Sequence, residues 1–273
     1  MLRSMYTGIS GLRGFQTKLD VIGNNIANVN TVGFKKSRVM FQDILSQNIR
    51  GASGPPEDGG RGGTNPVQVG LGSMIGSIDT VFNAGSPMMT NLATDLSIEG
   101  DGFFMVTPDD GDTFYYTRAG NFTRDAQGFL VNPQGMKLVD SGGGTIQIDQ
   151  GAGIVSFSIG QDGVITTVDD TGTLDTPYTI GIMTFNNPSG LKKIGNSLYE
   201  NTMNAGARDE APDTPVTPAE ASVSVISGQL EMSNVDLSEE FTEMIVAQRG
   251  FQANSRIITT SDTILEELVN LKR

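Results

Sequence analysis

The chain has 273 residues, a length that accommodates one or two domains. It contains neither cysteine nor histidine, which excludes disulfides, thiolate nucleophiles, Ser–His catalysis and zinc sites built from these side chains. Its 31 acidic and 18 basic residues give a net charge of −13, which argues against binding to a nucleic-acid backbone.

The N-terminal stretch predicts an amphipathic helix. Its apolar residues recur at spacings of three and four: Met5, Ile9, Leu12, Phe15, Leu19, Ile22, Ile26 and Val29. Four glycines interrupt it, and each lowers helix stability by about 1 kcal/mol relative to alanine: Gly8, Gly11, Gly14 and Gly23. We therefore expect either a helix within a domain core or a helix that becomes ordered only on assembly. The sequence has no apolar run typical of a cleaved signal or a membrane span.

The middle of the chain predicts short β-strands between two linkers. Residues 34–70 include a Gly/Pro-rich insertion and are expected to form an extended linker or hinge. Residues 71–205 have short apolar runs separated by Gly, Asn and Asp, which predicts an antiparallel β-domain with a hairpin at Asp162-Gly163. Residues 206–229 are expected to form an acidic, proline-containing linker and a return strand.

A second helix is predicted within residues 230–273. Asp236 and Glu239 have the spacing of a capping box at its start. One heptad position is apolar throughout, whereas the other is polar in three repeats: Met244, Phe251, Ile258 and Leu265 against Gln248, Ser255 and Asp262. This pattern favours a coiled-coil seam with a specified register, and an amphipathic helix on a globular core is the alternative. The two terminal helices carry opposite net charge and could pair.

The remaining motifs are weak candidates for chemistry. GLGSMIG at residues 70–76 lacks the spacing of a dinucleotide loop, and DDGD at residues 109–112 lacks that of a calcium loop. Glu99 and Asp101 adjoin glycines in a predicted turn, without the apolar pocket that a general acid needs. We therefore expect no catalytic residue, no cofactor and no metal site. The alternative is an acidic carbohydrate-binding domain or a carboxylate-dependent hydrolase.

Two terminal motifs resemble those of bacterial flagellar hook and rod proteins. They are TKLDVIGNNIANVNTVGFK at residues 17–35 and GQLEMSNVDL at residues 228–237, followed by MIVAQR at residues 244–249. The internal segments DLSIEGDGFF (95–104) and YTRAGNF (116–122) resemble the β-domain that this family shares. The similarity spans nearly the whole chain, which is identified as a member of the flagellar axial protein family.

The resemblance implies an α+β fold and a structural role. The N-terminal helix (1–33) and the C-terminal helix (230–273) would form a coiled-coil-like core domain, with a central antiparallel β-rich domain between them. Such a chain is not an enzyme; it polymerises into a helical tube. We expect the subunit interface to include Met5, Ile9, Leu12, Leu19, Ile22, Asn24, Asn25, Ile26, Asn28, Phe241, Met244, Gln248, Phe251, Ile258 and Leu265. We expect hinge motion at Gly33, Gly51, Gly54, Gly59, Gly60, Gly62 and Gly63.

Within the family, the motifs at residues 23–28, 235–240 and 246–249 are most similar to the short hook proteins of Gram-positive bacteria. Distal-rod proteins more often have Ala and Leu where Gly23 and Ile26 stand here. The implied function is that of a hook subunit, part of a flexible universal joint that transmits torque. The chain length and the insertion near residues 47–66 resemble distal-rod proteins, so a straight drive shaft is the alternative.

The resemblance also implies partners and a location. The partners would be further copies of the chain, other axial proteins (rod, hook cap and hook–filament junction) and the flagellar type III export apparatus. Neither nucleic acid nor membrane insertion is expected. The protein would lie in the basal body or hook, outside the cytoplasmic membrane, after export without a cleaved signal peptide.

Overall fold

Two compact units make up the chain in a computed structural model that describes residues 2–54, 62–109, 113–148, 154–170, 173–206 and 214–271. One unit, here called the helical unit, comprises Met1–Ile26, Ser37–Asp79 and Asp236–Arg273. The other, here called the β unit, comprises Ala27–Lys36 and Thr80–Val235.

The helical unit is built on two long helices that pack against each other. They are α1 (Leu2–Ala27) and α2 (Leu237–Asn270). The carboxylate of Asp236 accepts hydrogen bonds from the main-chain N–H groups of Ser238 and Glu239, at 2.8 and 3.4 Å, which confirms the predicted N-cap. Within the described residues, neither helix has the length and apolar content needed to cross a membrane.

Four strands accompany the helices in this unit. They are β1 (Ser37–Asp43), β2 (Ser46–Arg50), β3 (Val67–Gly70) and β4 (Ser73–Thr80). β1 pairs with β4, and β2 pairs antiparallel with β3. Among its described residues, the segment expected to be an extended linker, residues 34–70, includes three paired strands, and residues 55–61 of its Gly/Pro-rich insertion lie outside the described residues.

The β unit consists of short strands joined by tight turns. They are β5 (Pro87–Met89), β6 (Leu96–Glu99), β7 (Phe103–Thr107), β8 (Tyr115–Thr117), β9 (Thr123–Arg124), β10 (Leu130–Val131), β11 (Lys137–Leu138), β12 (Ile154–Ile159), β13 (Val164–Asp169), β14 (Leu174–Thr179), β15 (Ile182–Met183), β16 (Lys192–Gly195), β17 (Leu198–Glu200), β18 (Ser224–Ser227) and β19 (Gln229–Glu231). One turn of 3-10 helix spans Pro188–Gly190.

An eight-stranded antiparallel sheet dominates the β unit. Its strand order is β16-β17-β8-β7-β11-β10-β9, and β15 pairs with β7. Beside it are the meander β12-β13-β14 and the pairs β18-β6 and β19-β5. Gly163 has φ +73° in the turn that joins β12 and β13, which confirms the predicted hairpin. The antiparallel β-rich region was therefore predicted correctly.

Two apolar clusters fill the β unit. The larger includes Leu96, Phe104, Phe122 and Ile182, and the smaller includes Phe103, Tyr116 and Tyr199. Within the described part of residues 206–229, which was expected to begin as an unstructured linker, Val216 exchanges main-chain hydrogen bonds with Ile182 at 2.9 and 3.0 Å. Pro215 and Pro218 are buried there, so this stretch belongs to the packed unit.

Candidate functional site

Small residues mediate the contact between α1 and α2. Gly8, Gly11 and Gly14 are all buried. A Cβ atom at Gly8 would lie 3.2 Å from Ile258 Cγ1, and one at Gly11 would lie 2.8 Å from Asn254 Nδ2. Gly8 and Gly11 therefore allow the helices to approach closely, whereas Gly14 faces the ring of Phe41 on β1. From the sequence they were expected only to weaken the helix, and their spacing of three along one face was the overlooked signal of a close contact.

Aromatic rings fill the space beside this contact. A Cβ atom at Gly250 of α2 would lie 2.6 Å from the ring of Phe15, so the ring packs directly on the α2 backbone. The rings of Phe15 and Phe41 have centroids 5.7 Å apart, and Phe41 also covers Gly14. The helices and β1 thus share one small apolar contact region.

A buried polar pair lies farther along the helices. The side-chain amide of Asn25 donates hydrogen bonds to Glu240 Oε2 at 3.2 Å and to the Ser37 carbonyl at 2.9 Å. Its oxygen accepts the Ser37 N–H at 3.0 Å. Asn25 was expected at the subunit interface; its amide is used within the chain, and its place at that interface stays a prediction. Glu240, which was not foreseen from the sequence, lies in the first turn of α2, where the helix dipole favours a carboxylate.

The other expected interface residues differ in exposure. Ile22 is buried, and the following are partly buried: Met5, Leu12, Leu19, Ile26, Asn28, Met244, Ile258 and Leu265. The following are exposed: Ile9, Asn24, Phe241, Gln248 and Phe251. The predicted heptad seam of α2 is therefore only partly covered within one chain.

The helical unit leaves many large apolar side chains exposed. On α2 and at its C-cap they are Leu237, Phe241, Ile245, Val246, Phe251, Ile257, Ile264, Leu268, Val269 and Leu271; we call this set the α2 apolar surface. The hairpin β2–β3 and the residue before it expose Leu45, Ile49, Val67 and Val69. Large apolar side chains left exposed in this number are typical of surfaces that contact other proteins.

The expected hinge glycines have two kinds of surroundings. Gly33 has φ +65°, and a Cβ atom there would lie 2.5 Å from the Ala119 nitrogen, so its turn is closely packed. Gly51, Gly54, Gly62 and Gly63 are exposed near the end of the β2–β3 hairpin, which Ser53 and Thr64 extend with two main-chain hydrogen bonds of 3.0 Å. Gly59 and Gly60 lie outside the described residues. Hinge motion at these positions stays a prediction.

A buried charge cluster in the β unit was not foreseen. Lys35 Nζ donates to Glu231 Oε1 at 2.5 Å, and Arg118 Nη1 lies 3.3 Å from Glu231 Oε2. Burial lowers the pKa of Lys35 below its ordinary value, and the carboxylate of Glu231 opposes that shift. Since Lys35 and Glu231 are 196 positions apart, no local pattern could have paired them.

Three segments match described protein families. Residues 5–35 match the flagella basal body rod protein family, residues 97–167 the D1 domain of flagellar hook protein FlgE/F/G, and residues 226–271 the C-terminal region of flagellar basal body rod FlgEFG proteins. Over its full length the chain is 55% identical, across 274 aligned residues, to the flagellar basal-body rod protein FlgG of Bacillus subtilis, all of which is covered.

The chain belongs to the flagellar hook and rod axial protein family. Two further relatives illustrate its range. The rod protein FlgG of Borreliella burgdorferi is 38% identical over 278 residues, with both chains fully covered. The hook protein FlgE of Treponema pallidum is 50% identical over 139 residues, which are 50% of this chain and 29% of that protein. Membership confirms the predicted family and a structural role in the flagellar axis.

Proposed function

We propose that the chain is a subunit of the flagellar hook, polymerising into a flexible tube that transmits torque. Gly23 is the observation that carries this proposal. It lies exposed near the end of α1, and a Cβ atom there would meet nothing within 4 Å. Unlike the glycines packed against α2, it has no steric reason to be glycine. Its effect is to lower local helix stability by about 1 kcal/mol relative to alanine, which suits a tube that bends.

A partial similarity to a hook protein is compatible with this proposal. Identity to the Treponema pallidum hook protein is 50% over half of this chain, and identity to the Bacillus subtilis rod protein is 55% over the whole chain. The distal rod is the second candidate, because the Bacillus subtilis relative that matches over its full length is named as a rod protein.

Immunogold labelling separates these two candidates. An antibody raised against residues 100–200 would be applied to isolated hook–basal bodies and viewed by electron microscopy. Label along the curved external segment is expected if the chain forms the hook. Label confined to the straight shaft would overturn the hook proposal in favour of the rod.

Substitution of Gly23 by Ala tests the physical argument. Alanine should stiffen the end of α1 and reduce the curvature of isolated tubes, while the stability of the purified monomer changes by less than about 1 kcal/mol. Gly144→Ala is the matched control, because Gly144 is exposed in the β unit and a Cβ atom there would also meet nothing within 4 Å. Unchanged curvature in Gly23→Ala tubes would contradict the role given to this glycine.

We further infer that the α2 apolar surface is covered by neighbouring copies in the tube. Phe241 is 50% exposed and Val246 is 55% exposed, so both have area to bury on assembly. Phe241→Ala should raise the concentration at which purified chains assemble and leave monomer unfolding nearly unchanged. Leu174→Ala, at a residue 71% exposed in the β unit, is the control. Equal effects of the two variants on assembly would argue against this surface.

The hinge proposal concerns the glycine-rich end of the β2–β3 hairpin. A Cβ atom at Gly51, Gly54 or Gly62 would meet nothing within 4 Å, so the backbone there is free to change conformation. Shortening residues 51–66 should straighten or stiffen the tube, as measured by electron microscopy. Tubes of normal curvature and bending would rule out this hinge. The remaining partners in this proposal are the other axial proteins and the flagellar export apparatus.

A further inference from the structure

The chain passes between the two units near residues 26–27, 36–37, 79–80 and 235–236. On the β-unit side of these positions lie three short connectors, at residues 27–36, 80–85 and 228–235. Any force that passes along the chain between the units must travel through them. Their attachment to one another within the β unit therefore bears on how a torque-transmitting subunit works.

The side chain of Asn234 joins all three connectors. Its oxygen accepts the main-chain N–H of Lys36 at 2.8 Å, and its amide donates to the Val81 carbonyl at 2.9 Å. A weaker contact to the Asn83 carbonyl measures 3.3 Å. The Val81 N–H donates to the Lys36 carbonyl at 2.9 Å, which closes the arrangement. One primary amide thus holds three separate pieces of main chain in register.

A layer of buried charge lies next to this amide. Lys35 donates to the Asn83 carbonyl at 2.8 Å as well as to Glu231, and Glu231 Oε1 also accepts the Gly85 N–H at 2.9 Å. The Glu231 carbonyl accepts the N–H of Gly33 at 2.8 Å. The same three connectors are therefore tied a second time, by charge-assisted hydrogen bonds, which are stronger than neutral ones.

Arg118 anchors this layer to the sheet. Its Nη2 donates to the Gly100 carbonyl at 2.6 Å and its Nη1 to the Ile98 carbonyl at 3.4 Å. Its buried Nε has no hydrogen-bond partner among the described residues. Two cations thus share one buried carboxylate, an arrangement that well-packed apolar residues often match or exceed in stability. We therefore expect the cluster to fix the relative positions of the connectors rather than only to stabilise the fold.

We propose that Lys35, Arg118, Glu231 and Asn234 form a connector clasp that holds the three connectors in fixed register while torque passes through the subunit. The clasp rests on the proposed function, because it matters only in a subunit that carries force. Asn234 and Glu231 are its positioning residues. In their absence the connectors would shift separately under load, although the β unit would keep its core.

Hydrogen exchange of the purified full-length chain tests the clasp itself. Asn234→Ala should raise exchange at the main-chain amide of Lys36, whose acceptor it removes, by about tenfold, the factor expected when one hydrogen bond is lost. Exchange at Val81 should rise less, because its N–H keeps the bond to the Lys36 carbonyl. Amides in β12–β14 should be unaffected. The matched control is Asn187→Ala, which removes one exposed amide hydrogen bond to the Asn204 carbonyl in the same unit. Exchange at the connectors equal to wild type would overturn the proposal.

Rotation under load tests the mechanical role. Cells carrying Asn234→Ala should build tubes of normal length and turn attached beads at the wild-type rate, but their tubes should have lower torsional stiffness, measured from the angular recoil of large beads when rotation stops. Glu231→Gln, which keeps the shape of the side chain, should act in the same direction. If exchange is raised but torsional stiffness under load equals that of the wild type, the clasp has no role in transmitting force. Hydrogen exchange is measured on the monomer, so it tests the clasp whether or not the chain forms the hook. Immunogold label away from the hook would overturn the proposed function and leave the exchange result unchanged.

Discussion

The two units of this chain differ in how much of their apolar surface is buried within one chain. The β unit encloses continuous clusters of fully buried side chains such as Phe104, Leu130 and Ile182. In the helical unit, α2 has 34 residues, but its buried ones are Glu240, Ala247 and Ser261, none of them a large apolar residue. The β unit therefore buries a continuous apolar core within one chain, whereas the helical unit leaves many large apolar side chains exposed among the described residues, and we expect other copies to cover them.

This contrast indicates which unit supplies the stability of the monomer and which supplies the surface for assembly. A helix that buries mainly small residues gains little from folding within one chain, because the hydrophobic contribution scales with the apolar area removed from water. The monomer should owe its cooperative unfolding to the β unit, and the helical unit should gain its order from neighbours. The following substitutions separate these two contributions.

The largest effect is expected at the centre of the β-unit core. Phe104→Ala removes a fully buried ring that packs edge-on against Phe122 with centroids 5.5 Å apart, so it should destabilise the monomer by about 3–5 kcal/mol. Urea denaturation followed by far-UV circular dichroism measures this. Phe241→Ala, at an exposed position of α2, should cost less than about 1 kcal/mol in the same assay. Comparable losses would break the distinction between the units.

A glycine in the β unit should give the next largest effect. A Cβ atom at Gly120 would lie 1.8 Å from the carbonyl oxygen of Leu96, which is main chain and cannot move aside freely. Gly120→Ala should therefore destabilise the monomer by about 3 kcal/mol, near the upper end for overpacking. Gly144→Ala is again the control, and thermal unfolding of both variants measures the difference. A stable Gly120→Ala protein would show that this turn is not tightly held.

A smaller effect is expected at the start of α2. Asp236→Ala removes the side chain that accepts hydrogen bonds from two N–H groups of the first turn, at a cost of about 1 kcal/mol to the helix. Because the helical unit contributes little to monomer stability, hydrogen exchange in residues 237–241 should increase while the global unfolding midpoint hardly moves. Ser238→Ala, in the same turn, leaves the cap intact. A large shift of the midpoint would mean that α2 unfolds together with the β unit.

The smallest effect is expected for the ion pair between the helices. Lys18 and Glu243 form a salt bridge in which both side chains are partly exposed, so its contribution should be below about 1 kcal/mol and should decline as salt increases. Lys18→Gln tests this in low and high salt. A loss that is independent of salt would indicate that Lys18 stabilises α1 by packing rather than by charge.

Local patterns predicted the elements whose cause is local. The N-cap at Asp236 and the hairpin at Asp162-Gly163 each depend on residues that are neighbours in sequence, and both are confirmed. The family resemblance was also confirmed, because its motifs are long and contiguous. Heptad periodicity in α2 indicated an apolar face. It could not show whether that face packs within one chain or against another copy.

The features that the sequence analysis missed are of two kinds. They are contacts between residues far apart in the sequence, and close approaches that require a residue without a side chain. Glycines in α1 were taken as weak points, since propensity describes an isolated helix and not the surface it meets. Lys35 and Glu231 meet although nearly the whole β unit lies between them in the sequence. Composition predicted an extended linker at residues 34–70, whereas the strands there pair with residues distant in the sequence, such as Ser46 with Gly70.

The contacts of Arg118 with β6 have one more consequence. Leu96, Ile98 and Gly100 are alternate residues, so their main-chain groups face the same edge of β6. The Leu96 N–H donates to the Gly120 carbonyl at 2.9 Å, and the guanidinium occupies the other two carbonyls. These three main-chain groups are therefore used within the β unit and are not offered to an invading strand. The guanidinium thereby shields part of one edge of β6 from pairing with another chain.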